Sequence, residues 1–275
     1  VTVKRSAILL NTDAHREARD RFIHHMNQAC RREGWRAHEA VSYWLDATFR
    51  AMRGATLVHR PEDRAKNEAE YMRVVKRCRH PAETMADLSR MLGALVLALE
   101  AAPIDFIGPV FGEVAASTRL GQFFTPYHLS KAMAMMIIEQ PVDAFRRSGR
   151  GFITLQEPAC GIGSMALAAC EVLREHGFDL ARQVHWTMID IDYQAQCAAY
   201  LQINICGVSA AVFHGNTLAL ETWLSTPTLA AILHPKRLNC DPKAVLPAPS
   251  VEPPSTGTVA PPAPRPRQLS LFGET

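Results

Sequence analysis

Residues 152–163 read Phe-Ile-Thr-Leu-Gln-Glu-Pro-Ala-Cys-Gly-Ile-Gly, and this stretch constrains the fold more than any other. Phe152 to Leu155 is a short apolar run of strand character. Gly161 and Gly163 let the backbone turn sharply there, and apolar residues at helical spacing resume from Met165 to Leu173. A strand that passes through a glycine turn into a helix must cross back over its sheet, so it predicts a parallel α/β arrangement. The pattern repeats. Val184 to Ile189 is a second strand ending in Asp190-Ile191-Asp192, followed by a helix from about Gln194 to Cys206 with Gly207 as its C-cap. Ala210 to His214 is a third strand. Strand, helix, strand, helix, strand at this spacing predicts parallel strands joined by crossover helices.

The chain before this core has a different character. From Ala82 to Glu100, the residues Met85, Leu88, Met91, Leu92, Leu95, Val96 and Leu99 recur at helical spacing, and Pro103 lies just beyond. Phe22, Met26, Trp35, Tyr43, Trp44 and Phe49 predict two further helices, with Gly34 and Gly54 as breaks. The expected organisation is a helical N-terminal domain at 1–118, an α/β core at 119–240 and a tail at 241–275. Between Pro242 and Arg267, nine of 26 residues are proline and none is a large aromatic. Such a segment buries too little apolar surface to offset its ordering entropy, so a disordered, Pro-rich linker is expected.

Charge follows the same division. Residues 1–80 carry 17 Lys/Arg against 10 Asp/Glu, an excess of seven positive charges within a chain of net +3. A basic helical surface of this kind suits phosphate backbones. The seven cysteines are scattered, without CxxC or a Cys/His cluster of zinc spacing, so reduced thiols and no metal site are expected. No apolar run approaches a membrane span and no secretory leader opens the chain, which predicts a cytoplasmic protein without membrane contact.

The turn itself, Glu157-Pro158-Ala159-Cys160-Gly161-Ile162-Gly163, resembles the first motif of amino-directed DNA methyltransferases, and the chain is similar to the N6-adenine DNA methylase family, in particular to type I modification subunits. The resemblance implies a Rossmann-type core binding S-adenosylmethionine. Glu157 would hold the cofactor's amino group, and Ala159, Cys160, Gly161 and Gly163 would supply backbone contacts. Gly121-Gln122-Phe123-Phe124-Thr125-Pro126 looks like a second family signature, in which Thr125 touches the methionine end. Locally, Thr125 is placed to cap a helix whose first residue is Pro126. Asp190 occupies the place of the ribose-binding acid, with Asp192 as the alternative. Gly215-Asn216 matches the step whose side chain receives the adenine amino group, and Asn216 has the acceptor oxygen for it.

The resemblance covers roughly residues 85–220 and then stops. In the family, an Asp/Asn-Pro-Pro-Tyr/Phe tetrad follows the fourth strand, orients the target amine and stacks on the flipped base. No such tetrad occurs in this sequence, and Ile232-Leu233-His234-Pro235-Lys236 is the nearest substitute. The core is therefore expected to be truncated before that motif, with catalytic residues unassigned. DNA is the implied partner. A second methylase-like or specificity subunit would complete the enzyme, or the chain would act as a catalytically incomplete accessory protein of a mobile element in restriction and modification. Trp223 is expected to pack over the open sheet edge. Finally, Gln268-Leu269-Ser270-Leu271-Phe272 resembles the pentapeptide that binds the bacterial sliding clamp. That implies Leu271, Phe272 and Leu269 in apolar pockets, Gln268 held by hydrogen bonds, and a bacterial, nucleoid-associated location.

Overall fold

The computed structural model describes residues 2–115, 125–148 and 151–234. The segments 116–124 and 235–275, which contain most of the Gly121–Pro126 signature, the proline-rich stretch and the terminal pentapeptide, lie outside the described residues.

Helices α1 (Thr2–Glu33), α2 (Ala37–Thr56), α3 (Pro61–Arg77) and α4 (Pro81–Ala101) come first, followed by the short α5 (Ile107–Ala115). Their apolar faces close on one another. Phe22 of α1 meets Trp44 of α2 edge-to-face at 4.8 Å, and Met91, Leu95 and Ala98 of α4 are buried in the same core. Gly34 ends α1 with a left-handed backbone (φ 75°), as expected of a break. Gly54 does not break a helix. It lies within α2, where a Cβ would come 3.4 Å from Asn67 Nδ2 of α3. Asn67 is buried and donates to the Arg50 carbonyl at 2.8 Å, tying α3 to α2 beside this glycine.

After α6 (Tyr127–Ser148) the chain alternates: β1 (Ile153–Glu157), α7 (Ser164–Glu175), β2 (Val184–Asp190), α8 (Tyr193–Ile205), β3 (Ala210–Asn216), β4 (Glu221–Pro227) and α9 (Leu229–Leu233). The sheet order is β1-β2-β3-β4. β1 and β2 pair in parallel, with Leu155 beside Trp186, and so do β2 and β3, with Met188 beside Val212. The expected α/β fold is found, with one correction: β4 runs antiparallel to β3, so the sheet is mixed. Trp223 therefore does not cover an edge strand. It is part of one, half exposed, with its ring 4.8 Å from that of His214.

Helix α8 joins the two halves of this unit. Its residues Tyr200, Leu201 and Ile203 are fully buried, and Phe49 of α2 packs edge-to-face on Tyr200 at 5.2 Å. α8 ends as its sequence dictates, with Gly207 at φ 68° and its N–H on the Asn204 carbonyl. α6 packs on α7 and buries Ser130, Ala134, Ile138 and Val142, one per helical turn; it begins at Tyr127, one residue after the expected Pro126, whose carbonyl accepts the Ser130 N–H at 3.1 Å. No described helix is long and apolar enough to cross a membrane.

Candidate functional site

The three neighbouring parallel strands of the mixed sheet end on one edge, and their last residues are Glu157, Asp190 and Asn216. This carboxyl edge is where ligands bind in open α/β sheets. The residues between β1 and α7 are held against it by a dense set of hydrogen bonds. The Cys160 N–H reaches the Ile189 carbonyl at 2.9 Å, and the Gly163 N–H reaches the Cys160 carbonyl at 2.9 Å. Thr217 Oγ1 donates to the Pro158 carbonyl at 2.6 Å, tying the turn to the segment after β3.

The carboxylate of Asp190 accepts from Gly161 N–H at 2.7 Å through one oxygen and from Asp192 N–H at 2.8 Å through the other. Asp192, the alternative candidate, turns away to a structural task. Its side chain caps α8 by accepting the Ala195 N–H at 2.7 Å. Glu157 is half-buried beside the same carboxylate. Burial raises its pKa, the Ala159 N–H pulls it back, and the charge of Asp190 raises it again, so it rests above the usual carboxylate range. Two acidic groups at such a turn make a site that favours a cationic ligand. Cys160 is buried, and burial followed by the same two carboxylates pushes its thiol well above its ordinary value, which leaves it a neutral lining group and no nucleophile.

Gly163 is at φ 93°, and a Cβ there would meet Ala199 Cα at 3.3 Å, so the turn sits directly on α8. Asn216 stands at the end of β3, where its oxygen accepts from Leu218 N–H and Ala219 N–H at 3.0 and 3.1 Å. That oxygen, expected to meet an adenine amine, is engaged in shaping its own turn. Thr125 is exposed two residues before α6, and the structure brings it into no described contact with the turn.

Sequence reasoning missed several residues of this neighbourhood. Ile191, between the two aspartates, is 61% exposed, and Leu218 after Asn216 is 97% exposed, a costly display of apolar surface beside polar strand ends. Their strand-end positions were a signal within reach of the sequence. Asp105, Gln202 and Thr217 had none, because each acts on residues 40 to 97 positions away or across a loop.

Residues 110–234 match the family model described as N-6 DNA methylase. No curated protein and no solved structure matches the chain. The match begins in α5 and ends at α9, so it takes in the turn, all four strands and each of the three strand-end residues. Over residues 110–234, somewhat less than half of its length, the chain is similar to the N-6 DNA methylase family.

Proposed function

We propose that the chain binds S-adenosylmethionine at the carboxyl edge of its sheet and serves the methylation of adenine N6 in DNA. The observation that carries this reading is the meeting of Glu157, Asp190 and the Gly161–Gly163 turn on that edge within a region similar to this family. S-adenosylmethionine supplies an activated methyl group on a sulfonium centre. Its ammonium and sulfonium are both cations, and they suit a turn flanked by two carboxylates. In this reading Glu157 holds the ammonium, and Asp190 uses its remaining lone pairs for the ribose hydroxyls. Ile191 and Leu218 give the flat adenine ring an apolar surface to cover.

The target half of the reaction rests on other groups. The family's amine-orienting tetrad is absent from the 275 residues. β1, where a neighbouring strand would carry it, pairs on one side alone among the described residues. We propose that a second methylase-like or specificity subunit supplies such a group by adding to this edge. The exposed Lys66, Lys76, Arg77 and Arg79 of α3 and the loop after it make no ion pair with another described residue, and they provide a surface for the phosphate backbone. The Gln268–Phe272 peptide, on its proline-rich spacer, is assigned as a tether to a sliding clamp, which raises the local concentration near replicated DNA.

The test is methyl transfer from labelled S-adenosylmethionine to unmethylated DNA, read as N6-methyladenine by mass spectrometry. The chain alone should leave DNA unmethylated, and supplementation with a tetrad-bearing partner should yield N6-methyladenine. Transfer to a base other than adenine, or to protein, would overturn the reading. For the tail, a 265–275 peptide should bind purified clamp by fluorescence anisotropy, and its Leu271→Ala, Phe272→Ala double variant should not.

A further inference from the structure

Behind the glycine turn lies a buried polar node that the strand-end site does not include. Ile162, between the two glycines, is 1% exposed, and its carbonyl accepts from Gln202 Nε2 of α8 at 2.9 Å. The other proton of that amide goes to Asp105 Oδ1 at 3.1 Å. Gln202 Oε1 accepts the N–H groups of Phe106 and Ile107 at 2.9 and 3.2 Å, where α5 begins. Asp105 Oδ1 also accepts the Gly108 N–H at 2.9 Å, and Asp105 Oδ2 accepts the hydroxyl of Ser164, the first residue of α7, at 2.6 Å. Asp105, Ser164 and Gln202 are all buried. Gly108 shows how tightly α5 is seated. A Cβ there would lie 2.2 Å from Asp105 Oδ2 and 2.9 Å from Ile162 Cδ1.

The turn is thus gripped from two sides. Asp190 takes the N–H of Gly161 on the strand-end side, and Gln202 takes the carbonyl of Ile162 on the interior side. Asp105 fixes Gln202 and the start of α7 together. A buried carboxylate held by neutral donors alone adds little net stability compared with apolar side chains of similar volume. Its benefit is a fixed geometry, and the atoms it fixes are those of the turn.

We propose that Asp105, acting through Gln202 and Ser164, is a positioning residue that sets the Gly161–Gly163 turn for the methionine end of S-adenosylmethionine. The proposal rests on the cofactor reading given above. It makes a selective claim. Loosening the turn should weaken ligands that carry the amino-acid end and spare those that carry the nucleoside alone.

The experiment compares the full chain with Asp105→Ala, Asp105→Asn and Ser164→Ala variants. Thr84→Val is the control, because Thr84 donates to the buried carboxylate of Glu33 in a similar node between α1 and α4. Calorimetry well below the melting midpoint gives the Kd for S-adenosylmethionine, and competition gives that for methylthioadenosine, which lacks the amino-acid end. Hydrogen exchange at the amides of 160–164 reports the turn without any ligand. Asp105→Ala should raise the Kd for S-adenosylmethionine about tenfold, as expected on removing one buried charged hydrogen-bond partner. The Kd for methylthioadenosine should change less than about twofold, and exchange at 160–164 should quicken. Asp105→Asn keeps an acceptor for Gly108 and Gln202 and should recover most of the affinity. Thr84→Val should lower the melting midpoint and leave both affinities alone. Should Asp105→Ala fail to fold, Ser164→Ala must still show a selective loss for S-adenosylmethionine. Equal weakening of both ligands, or a melting shift with unchanged affinities and unchanged exchange, reduces the node to a stability element and overturns the proposal. Failure of the unsubstituted chain to bind S-adenosylmethionine overturns the cofactor reading first, and this proposal with it.

Discussion

The turn after β1 and the lateral edge of β1 are neighbours in sequence and opposites in construction. Every peptide unit from Cys160 to Gly163 is tied down, to β2, to Asp190, to α8 or within the turn. β1 itself has one paired side among the described residues, and its burial falls away after Ile153. The adjoining helix α6 turns a row of apolar side chains outward, with Met136 83%, Ile137 57% and Leu129 47% exposed. A preorganised turn beside an open, apolar flank is the contrast that the proposed cofactor edge, completed by a second subunit, requires. Binding and transfer should therefore separate experimentally in this protein.

The largest effect that would sharpen the contrast is in transfer. The chain with a partner that supplies the amine-orienting tetrad should methylate DNA at least about 100-fold faster than the chain alone, since misplacing a reacting group by about 1 Å already costs that much. Methylated adenine formed equally well by the chain alone would break the comparison, and His234 or another described residue would then have to orient the amine.

Stability probes the closed side. Gly163→Ala forces a Cβ against Ala199 at a left-handed backbone position, and should destabilise the fold by about 1–3 kcal/mol in urea unfolding. Met136→Gln, on the open flank, should cost less than about 0.5 kcal/mol, as surface substitutions do. Similar losses at the two positions would mean that the flank is covered.

A smaller effect concerns pH. Glu157 has a raised pKa in the folded chain, so its neutral form is favoured relative to the unfolded chain. Its ionisation thus costs stability as pH rises through the folded pKa, and stability from this group is recovered as pH falls. Ligand affinity runs the other way, because only the charged form holds an ammonium. Calorimetry should show S-adenosylmethionine binding weakening on acidification, with a midpoint above the ordinary carboxylate range. Glu157→Gln should remove that dependence. A midpoint unchanged in Glu157→Gln would move the assignment to another group.

The smallest effect is on DNA affinity. Lys76→Gln and Arg77→Gln together should lower the slope of log affinity against log salt by about two, one for each phosphate no longer neutralised. An unchanged slope would return both side chains to the solvated surface.

How far the sequence could be read depended on whether the signal was local. β1, β2 and β3, α7 and α8, and the break at Gly34 were visible because apolar spacing and glycine act over a few residues. Asp190 and Asp192 could not be told apart from spacing. What separates them is that Asp192 caps the helix that follows it, while Asp190 faces a turn 29 positions away. β4 was hidden because Glu221-Thr222-Trp223-Leu224-Ser225-Thr226-Pro227 has little burial to alternate, as befits an edge strand. Gly54 misled because a glycine inside a helix looks the same in sequence as one at a turn. The Asp105–Gln202 node had no signal at all. A buried glutamine within a helix reads as a surface residue until its partner, 97 positions earlier, is known.

Everything proposed for this protein depends on the carboxyl edge of its sheet holding S-adenosylmethionine through Asp190 and the turn that Asp190 supports. The decisive measurement is titration calorimetry of the purified chain with S-adenosylmethionine, alongside Asp190→Ala. Saturable one-to-one binding is expected for the unsubstituted chain, with affinity weaker by about 1–3 kcal/mol in the variant, which retains its fold by circular dichroism. A well-folded chain that binds no S-adenosylmethionine, or one that Asp190→Ala leaves equally tight, would contradict it.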